Sequence, residues 1–112
     1  MSIKNTLKYA DLWHTLLEYV PEFKPIFADD VAFNGEILSH GLLEELFKLT
    51  SKAYDEGNME LFRRVFDFIN EAAMSDDEDV LDPVHVSFME RVPDLLNPAA
   101  REMYDSIVNW KP

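Results

Sequence analysis

Residues 41–74 read GLLEELFKLTSKAYDEGNMELFRRVFDFINEAAM, which predicts two consecutive helices joined by a short turn. Its first half belongs to an apolar pattern with i, i+3 and i+4 spacing, which predicts a helix from about Glu36 to Glu56. Gly57 supplies a left-handed stop, and Asn58 can accept the free amides of the next helix. So short a junction predicts two antiparallel helices that are neighbours. The apolar positions of the first helix are Leu38, Leu42, Leu43, Leu46, Phe47, Leu49, Ala53 and Tyr54.

The second half of the stretch predicts a helix from Met59 to about Met74 with two apolar faces. Leu61 and Phe68 lie on one face. The other face consists of Met59, Phe62, Val65, Phe66, Ile69, Ala72 and Ala73. A helix with two apolar faces must be covered on both sides, so we expect it at the centre of the domain. The aromatic residues expected in the core are Trp13, Phe47, Phe62 and Phe66.

The segment before this stretch predicts one further helix and a loop. A helical pattern runs from Tyr9 to Val20, where Pro21 ends it. Between Pro21 and Gly35 there are two prolines and no sustained period, which predicts a short helical turn and a connecting loop. The apolar residues of this segment are nevertheless expected to be buried: Phe23, Ile26, Phe27, Val31 and Phe33.

The segment after the stretch predicts another helix with an acidic start. Ser75 or Asp76 is its expected N-cap, and its apolar residues run from Val80 to Val92. Pro83 lies inside this pattern. Because proline removes a helical hydrogen bond and clashes with the preceding turn, the helix either begins at Pro83 or kinks there.

The last predicted helix begins at Asn97 and Pro98, a cap followed by the proline that first helical positions favour. It runs to about Val108, and Trp110 beyond it is either a lid on this helix or an exposed anchor. No segment shows clean period-two alternation with turn chemistry on both sides, so strands are not expected. The sequence thus predicts an all-α single domain over residues 1–112, a stack of about five to six antiparallel helices similar to a helical repeat.

The net charge of the chain indicates the class of its partner. There are 22 Asp and Glu against 10 Lys and Arg, a formal net charge of −12. Such a field repels nucleic acids and anionic lipids and attracts cations, so we expect a basic protein as partner, with no nucleic acid and no membrane. Solubility is the alternative reason for the charge, although about 2 to 8 net charges serve that purpose. With no cysteine, no secretion signal and no membrane-spanning run, the sequence predicts a soluble cytoplasmic protein.

An acidic segment from Asp67 to Asp82 contains seven acids and no basic residue. A capped helix start on a solvated face would explain two or three of these acids. The others suggest a docking surface for the cationic side chains of a partner. The segment is not a calcium loop, because it lacks the central glycine and the closing glutamate. The candidate binding residues are Asp67, Glu71, Asp76, Asp77, Glu78, Asp79 and Asp82.

No pattern in the sequence is typical of a catalytic or metal site. His14, His40 and His85 are scattered without ligand spacing, so we expect no metal. Ser39 lacks the context of a nucleophile elbow, and the three glycines form no phosphate-binding loop. We therefore expect a protein that is not an enzyme and uses no cofactor. A pair of carboxylates in an apolar pocket is the enzymatic alternative.

Residues 61–92 read LFRRVFDFINEAAMSDDEDVLDPVHVSFMERV. A helix with an aromatic FDF block, an acidic turn and a VSFME segment follow one another in this order. The order resembles small immunity proteins of bacterial toxin loci, including contact-dependent growth-inhibition systems, over roughly residues 59–108. Pro83 departs from the resemblance, since such helices usually run on there.

The resemblance implies an immunity protein that binds and neutralises the toxic C-terminal domain of its cognate toxin. For such an inhibitor we expect a monomer when free and a 1:1 complex with the toxin domain. It implies no particular binding residues. Many such toxins are nucleases with basic surfaces, which an acidic inhibitor would attract. In this hypothesis the seven acids pair with Lys and Arg of the toxin. The alternative is an acidic helical adaptor or regulatory module that recognises a basic segment of another protein.

Overall fold

The computed structural model describes residues 6–91, 98 and 102. Five α-helices lie in this part of the chain: α1 (Tyr9–Tyr19), α2 (Lys24–Asn34), α3 (Ser39–Asp55), α4 (Met59–Ala73) and α5 (Glu78–Ser87). Short 3-10 turns precede α2 at Pro21–Phe23 and follow α5 at Met89–Arg91. No strand occurs among these residues, and the predicted all-α class is confirmed. Only Pro98 and Glu102 of the predicted last helix are among the described residues, and Trp110 is not.

The junction between α3 and α4 forms as the sequence predicts. Gly57 has a φ of 75°, in the left-handed region that glycine adopts without strain. The Asn58 side chain accepts a hydrogen bond from the Leu61 amide at 3.2 Å and so caps α4. This short turn places α3 and α4 side by side, and both also contact α5.

Helix α4 lies at the centre of the described residues, because it contacts α1, α3 and α5. Both of its predicted apolar faces are buried, including Leu61 and Phe68. The four aromatic residues expected in the core are buried there. Phe88 joins them, with its ring 5.6 Å from that of Phe66 and 5.4 Å from that of Phe47, both edge to face. Such aromatic pairs stabilise the core beyond the area they bury.

The prediction of a connecting loop between Pro21 and Gly35 is wrong, since α2 occupies Lys24–Asn34. Pro25 is compatible with this helix because it lies in the first turn, where a missing amide breaks no helical bond. Gly35, at a φ of 74°, ends the helix and donates its amide to the Val31 carbonyl at 2.8 Å. The apolar residues of this segment show no helical periodicity, because no residue of α2 is fully buried. The expected burial of Phe33 is also wrong, because 89% of its surface is exposed.

The predicted N-cap of α5 is wrong, and so is one of the two alternatives for Pro83. The N-cap is Asp77, whose side chain accepts from the Asp79 amide, and neither Ser75 nor Asp76 has this role. The Ser75 hydroxyl donates to the Leu7 carbonyl and accepts from the amide of Asp77, the residue that precedes the helix. Pro83 lies inside the helix, so the alternative in which the helix begins there is wrong.

Candidate functional site

The candidate site is an acidic surface where the beginnings of α1, α3 and α5 meet. A shallow depression of about 390 Å³ opens there, lined by Tyr9, Ser39, His40, Glu78, Asp79, Asp82 and Pro83. Glu78, Asp79 and Asp82 are all exposed. We call these three residues the α5 carboxylates. They occupy positions i, i+1 and i+4 of one helix and therefore lie on one side of it.

Asp77 helps to position the α5 carboxylates, and its own carboxylate is engaged in hydrogen bonds within the fold. One of its carboxylate oxygens accepts from the Asp79 amide at 3.0 Å, and the other accepts from the Tyr9 amide at 2.8 Å. Because Tyr9 is the first residue of α1, one side chain caps the starts of two helices. Asp77 is half-buried by these contacts.

Asp76 also holds the chain before α1 against the chain before α5. Its Oδ1 accepts from the Thr6 hydroxyl at 2.8 Å and forms an ion pair with the Lys8 ammonium. These hydrogen bonds, that of Lys8 first, lower the pKa of Asp76 below its usual range. Thus Asp76 and Asp77, two of the seven acids predicted to bind a partner, hold the starts of two helices together.

His40 connects α3 to α5 at the edge of the depression. Its Nδ1 lies 2.6 Å from the Ser87 hydroxyl and its Nε2 lies 3.1 Å from an Asp82 carboxylate oxygen. A serine, a histidine and an aspartate in this order are also the groups of a hydrolase triad. Ser87 is only 3% exposed, however, so its hydroxyl is not presented to a substrate. The arrangement is a bridge between two helices.

Asp67 and Glu71 lie apart from the α5 carboxylates, on α4 beside the end of α1. Glu71 accepts from the Tyr19 hydroxyl at 2.7 Å. This hydrogen bond, partial burial and the charges of Glu71 and Asp67 raise the pKa of Tyr19 to about 12. The structure therefore brings together three of the seven predicted acids, uses two at the helix starts and places two at a different surface.

The charge of the α5 carboxylates is not balanced by nearby basic residues. Among the described residues, no lysine or arginine lies within ion-pair distance of Glu78, Asp79 or Asp82, and Asp82 has only His40. The N-terminus of a helix carries about half a positive charge. Three carboxylates outweigh this half charge, so the surface attracts cations.

Tyr9, Ser39 and His40 were not predicted as site residues. Tyr9 was assigned to an apolar face, and Ser39 and His40 were considered only as catalytic or metal-binding candidates. The Tyr9 hydroxyl lies 3.4 Å from the Ser39 hydroxyl, and both line the depression. These groups are 30 or more residues apart in the sequence and meet only because the helices pack together. No local spacing in the sequence therefore predicts that they share a site.

The described residues contain no group of three or more His, Cys, Asp or Glu side chains placed to hold a metal ion. In the same part of the chain, no helix has the length and apolar character needed to cross a membrane.

A protein-family model described as a domain of unknown function, DUF7674, matches residues 13–110. No curated protein and no solved structure matches the chain. Because the family model covers most of the sequence, the chain belongs to the DUF7674 family.

Proposed function

We propose that this member of the DUF7674 family is an immunity protein that binds and neutralises the basic, nuclease-type C-terminal domain of a cognate toxin. The α5 carboxylates are the observation that carries the proposal, because they line one depression and have no lysine or arginine partner in the part of the chain that the structure describes. The sequence resemblance over roughly residues 59–108 supplies the class of partner. The proposal places the chain in the bacterial cytoplasm and assigns it no catalytic role.

Long-range attraction supports a basic partner. A net charge of −12 attracts a cationic protein from a distance and raises the association rate at low salt. Once the two proteins are in contact, the affinity depends on individual ion pairs. An exposed ion pair contributes about 0.2 to 1 kcal/mol, whereas losing one member of a desolvated pair costs about 2 to 5 kcal/mol. The carboxylates that a partner covers would therefore dominate the affinity.

The structure changes which acids should be tested. Replacing Asp76 or Asp77 would disturb the starts of α1 and α5, so a loss of binding would not identify the interface. Glu78 and Asp79 have exposed side chains, and among the described residues neither side chain accepts a hydrogen bond or forms an ion pair. The informative variant is therefore E78Q/D79N.

The experiment is co-expression of the chain with the toxin domain encoded by the adjoining reading frame. We expect a 1:1 complex, loss of the toxin's activity, and an affinity at least about tenfold weaker for E78Q/D79N. The matched control is D55N/E56Q, which changes the net charge equally at the other end of α3, about 24 Å from Ser39. The control should bind like the native chain.

Two results would contradict the proposal. If the toxin domain is not bound, or is bound without losing activity, the chain is not its immunity protein. If both double variants weaken binding equally, only the total charge matters and the α5 carboxylates are not the interface. Binding of a basic segment from a different protein would favour the adaptor alternative.

A further inference from the structure

Three large apolar side chains are exposed where α2 ends and α3 begins. Phe33 is 89% exposed, Ile37 40% and Leu38 41%. We call these three residues the apolar edge. Single exposed apolar residues are common, but neighbouring ones of this size are a feature of protein-binding surfaces.

The fold does not use Phe33. Earlier in α2, Ile26 and Phe27 pack against the core, and the Phe27 ring lies 5.9 Å from that of Trp13. Phe33 lies in the last turn of α2, before Gly35, and points to solvent. An aromatic side chain that contributes no burial to its own fold is suited to bury its surface in a partner.

The apolar edge is next to the acidic surface in the sequence. Leu38 is the N-cap of α3, and the next two residues, Ser39 and His40, line the depression that contains the α5 carboxylates. A surface with an apolar centre beside a charged rim has the composition of a protein interface.

A second acidic depression borders Phe33. It has a volume of about 380 Å³ and is lined by Ile26, Asp29, Asp30, Phe33 and Glu45. Asp30 accepts from Asn34 within α2, and Glu45 pairs with Lys48. Asp29 forms no ion pair among the described residues. Carboxylates therefore share one depression with Phe33, and others share a depression with Ser39, the residue after Leu38.

We propose that the three side chains of the apolar edge form the central contact of the partner-binding surface. Phe33 is the side chain that the partner buries most deeply. The occupant is a basic protein surface with an apolar cleft flanked by Lys or Arg side chains. This inference rests on the proposed function and adds to it an apolar contact and a shape for the partner. A second copy of the chain fits less well, because it presents the same carboxylates and the same net charge of −12.

The test uses two synthetic helical peptides of 14 residues with the same number of lysines. One has a leucine stripe flanked by lysines, and the other has serine in place of each leucine. The native chain should bind the leucine peptide about tenfold or more tightly than the serine peptide, because only leucine can bury Phe33. The variant F33A should lose most of this difference and keep its affinity for the serine peptide.

The matched control is M74A, which removes an apolar side chain that is 48% exposed but lies outside the apolar edge. It should retain the preference for the leucine peptide. Thermal unfolding should give the same Tm for F33A as for the native chain, so a folding defect cannot imitate the result.

The outcomes separate this inference from the proposed function. If the native chain binds both peptides equally, or if F33A keeps the preference, the apolar edge is not an anchor, although the acidic surface can still bind cations. If E78Q/D79N binds the serine peptide as the native chain does, the proposed role of the α5 carboxylates fails instead. A dimer in sedimentation that F33A abolishes would identify a second copy as the occupant and overturn the proposed partner.

Discussion

Asp77 accepts amide hydrogen bonds from two helices, from Tyr9 at the start of α1 and from Asp79 at the start of α5. In the sequence it is one of several adjacent acids, and its residue type does not distinguish it from Asp76 as the cap. The distinction depends on where α1 begins, which is 68 residues away in the sequence. Exposed acids and acids that hold the fold together are therefore mixed within one acidic run.

We expect D77A to lower the free energy of unfolding by about 2 kcal/mol, because each lost cap typically costs about 1 kcal/mol. E78A should change it by less than about 0.5 kcal/mol, as is usual for an exposed residue without partners. Urea unfolding of both variants measures the difference. Equal effects would show that Asp77 is not a double cap.

Glu22 and Arg64 form an ion pair whose contribution to stability can be measured. Two Arg64 nitrogens donate to the two Glu22 carboxylate oxygens at 2.8 and 2.6 Å, and Arg64 also donates to the Tyr19 carbonyl. The hydrogen bonds from Arg64 lower the pKa of Glu22 from 4.5 to about 2. This pair connects the turn after α1 to α4.

A pH series tests this pair. Because the folded pKa of Glu22 is lowered, its contribution is complete above about pH 4.5 and is lost as the pH falls towards about 2. Glu22 is 41% exposed, so solvent screening limits the contribution to about 1 kcal/mol. The native chain should exceed E22Q in stability by about this amount at pH 7, and the difference should shrink between pH 4.5 and 2. E60Q, at an 85% exposed side chain 3.6 Å from Arg64, should differ little from the native chain at any pH.

Among the elements, α1, α3 and α4 could be predicted from the sequence because each buries a regular apolar stripe. Helix α2 could not, since it has no fully buried residue and so no such stripe. The start of α5 was misplaced by one or two residues because Ser75, a good capping residue, accepts from the amide of Asp77, which itself precedes the helix, while its hydroxyl donates to the Leu7 carbonyl. Of the candidate site, the α5 carboxylates could be picked out because they are close together in sequence, whereas His40 reaches them only through the packing of α3 on α5.

Gly41 in α3 and Gly57 in the turn after α3 should respond to alanine substitution in opposite ways. G57A should lower the free energy of unfolding by about 1 kcal/mol, because alanine is strained at a φ of 75°. G41A should raise it by about 0.5 kcal/mol, because Gly41 lies in α3 and an added methyl group would have no atom within 4 Å. Thermal and urea unfolding of both variants measure the signs. A stabilising G57A would contradict the assigned left-handed turn.

For the whole molecule, the net charge of −12 means that the folded chain repels itself. Raising the salt concentration from about 10 mM to 150 mM shortens the Debye length from about 30 Å to 8 Å. We therefore expect the Tm to rise by a few degrees over this range. The combined variant D55N/E56Q/E78Q/D79N should show a smaller rise, and an unchanged or falling Tm in the native chain would contradict this view of its charge.

The salt dependence of toxin binding tests the central claim, that exposed carboxylates of α5 pair with cations of a basic partner. The dissociation constant of the 1:1 complex is measured from about 50 to 500 mM salt for the native chain, E78Q/D79N and D55N/E56Q. The affinity of the native chain should fall steeply with salt, E78Q/D79N should show a clearly shallower slope, and D55N/E56Q should follow the native chain. A native affinity that is indifferent to salt, or one slope shared by all three proteins, would contradict the claim.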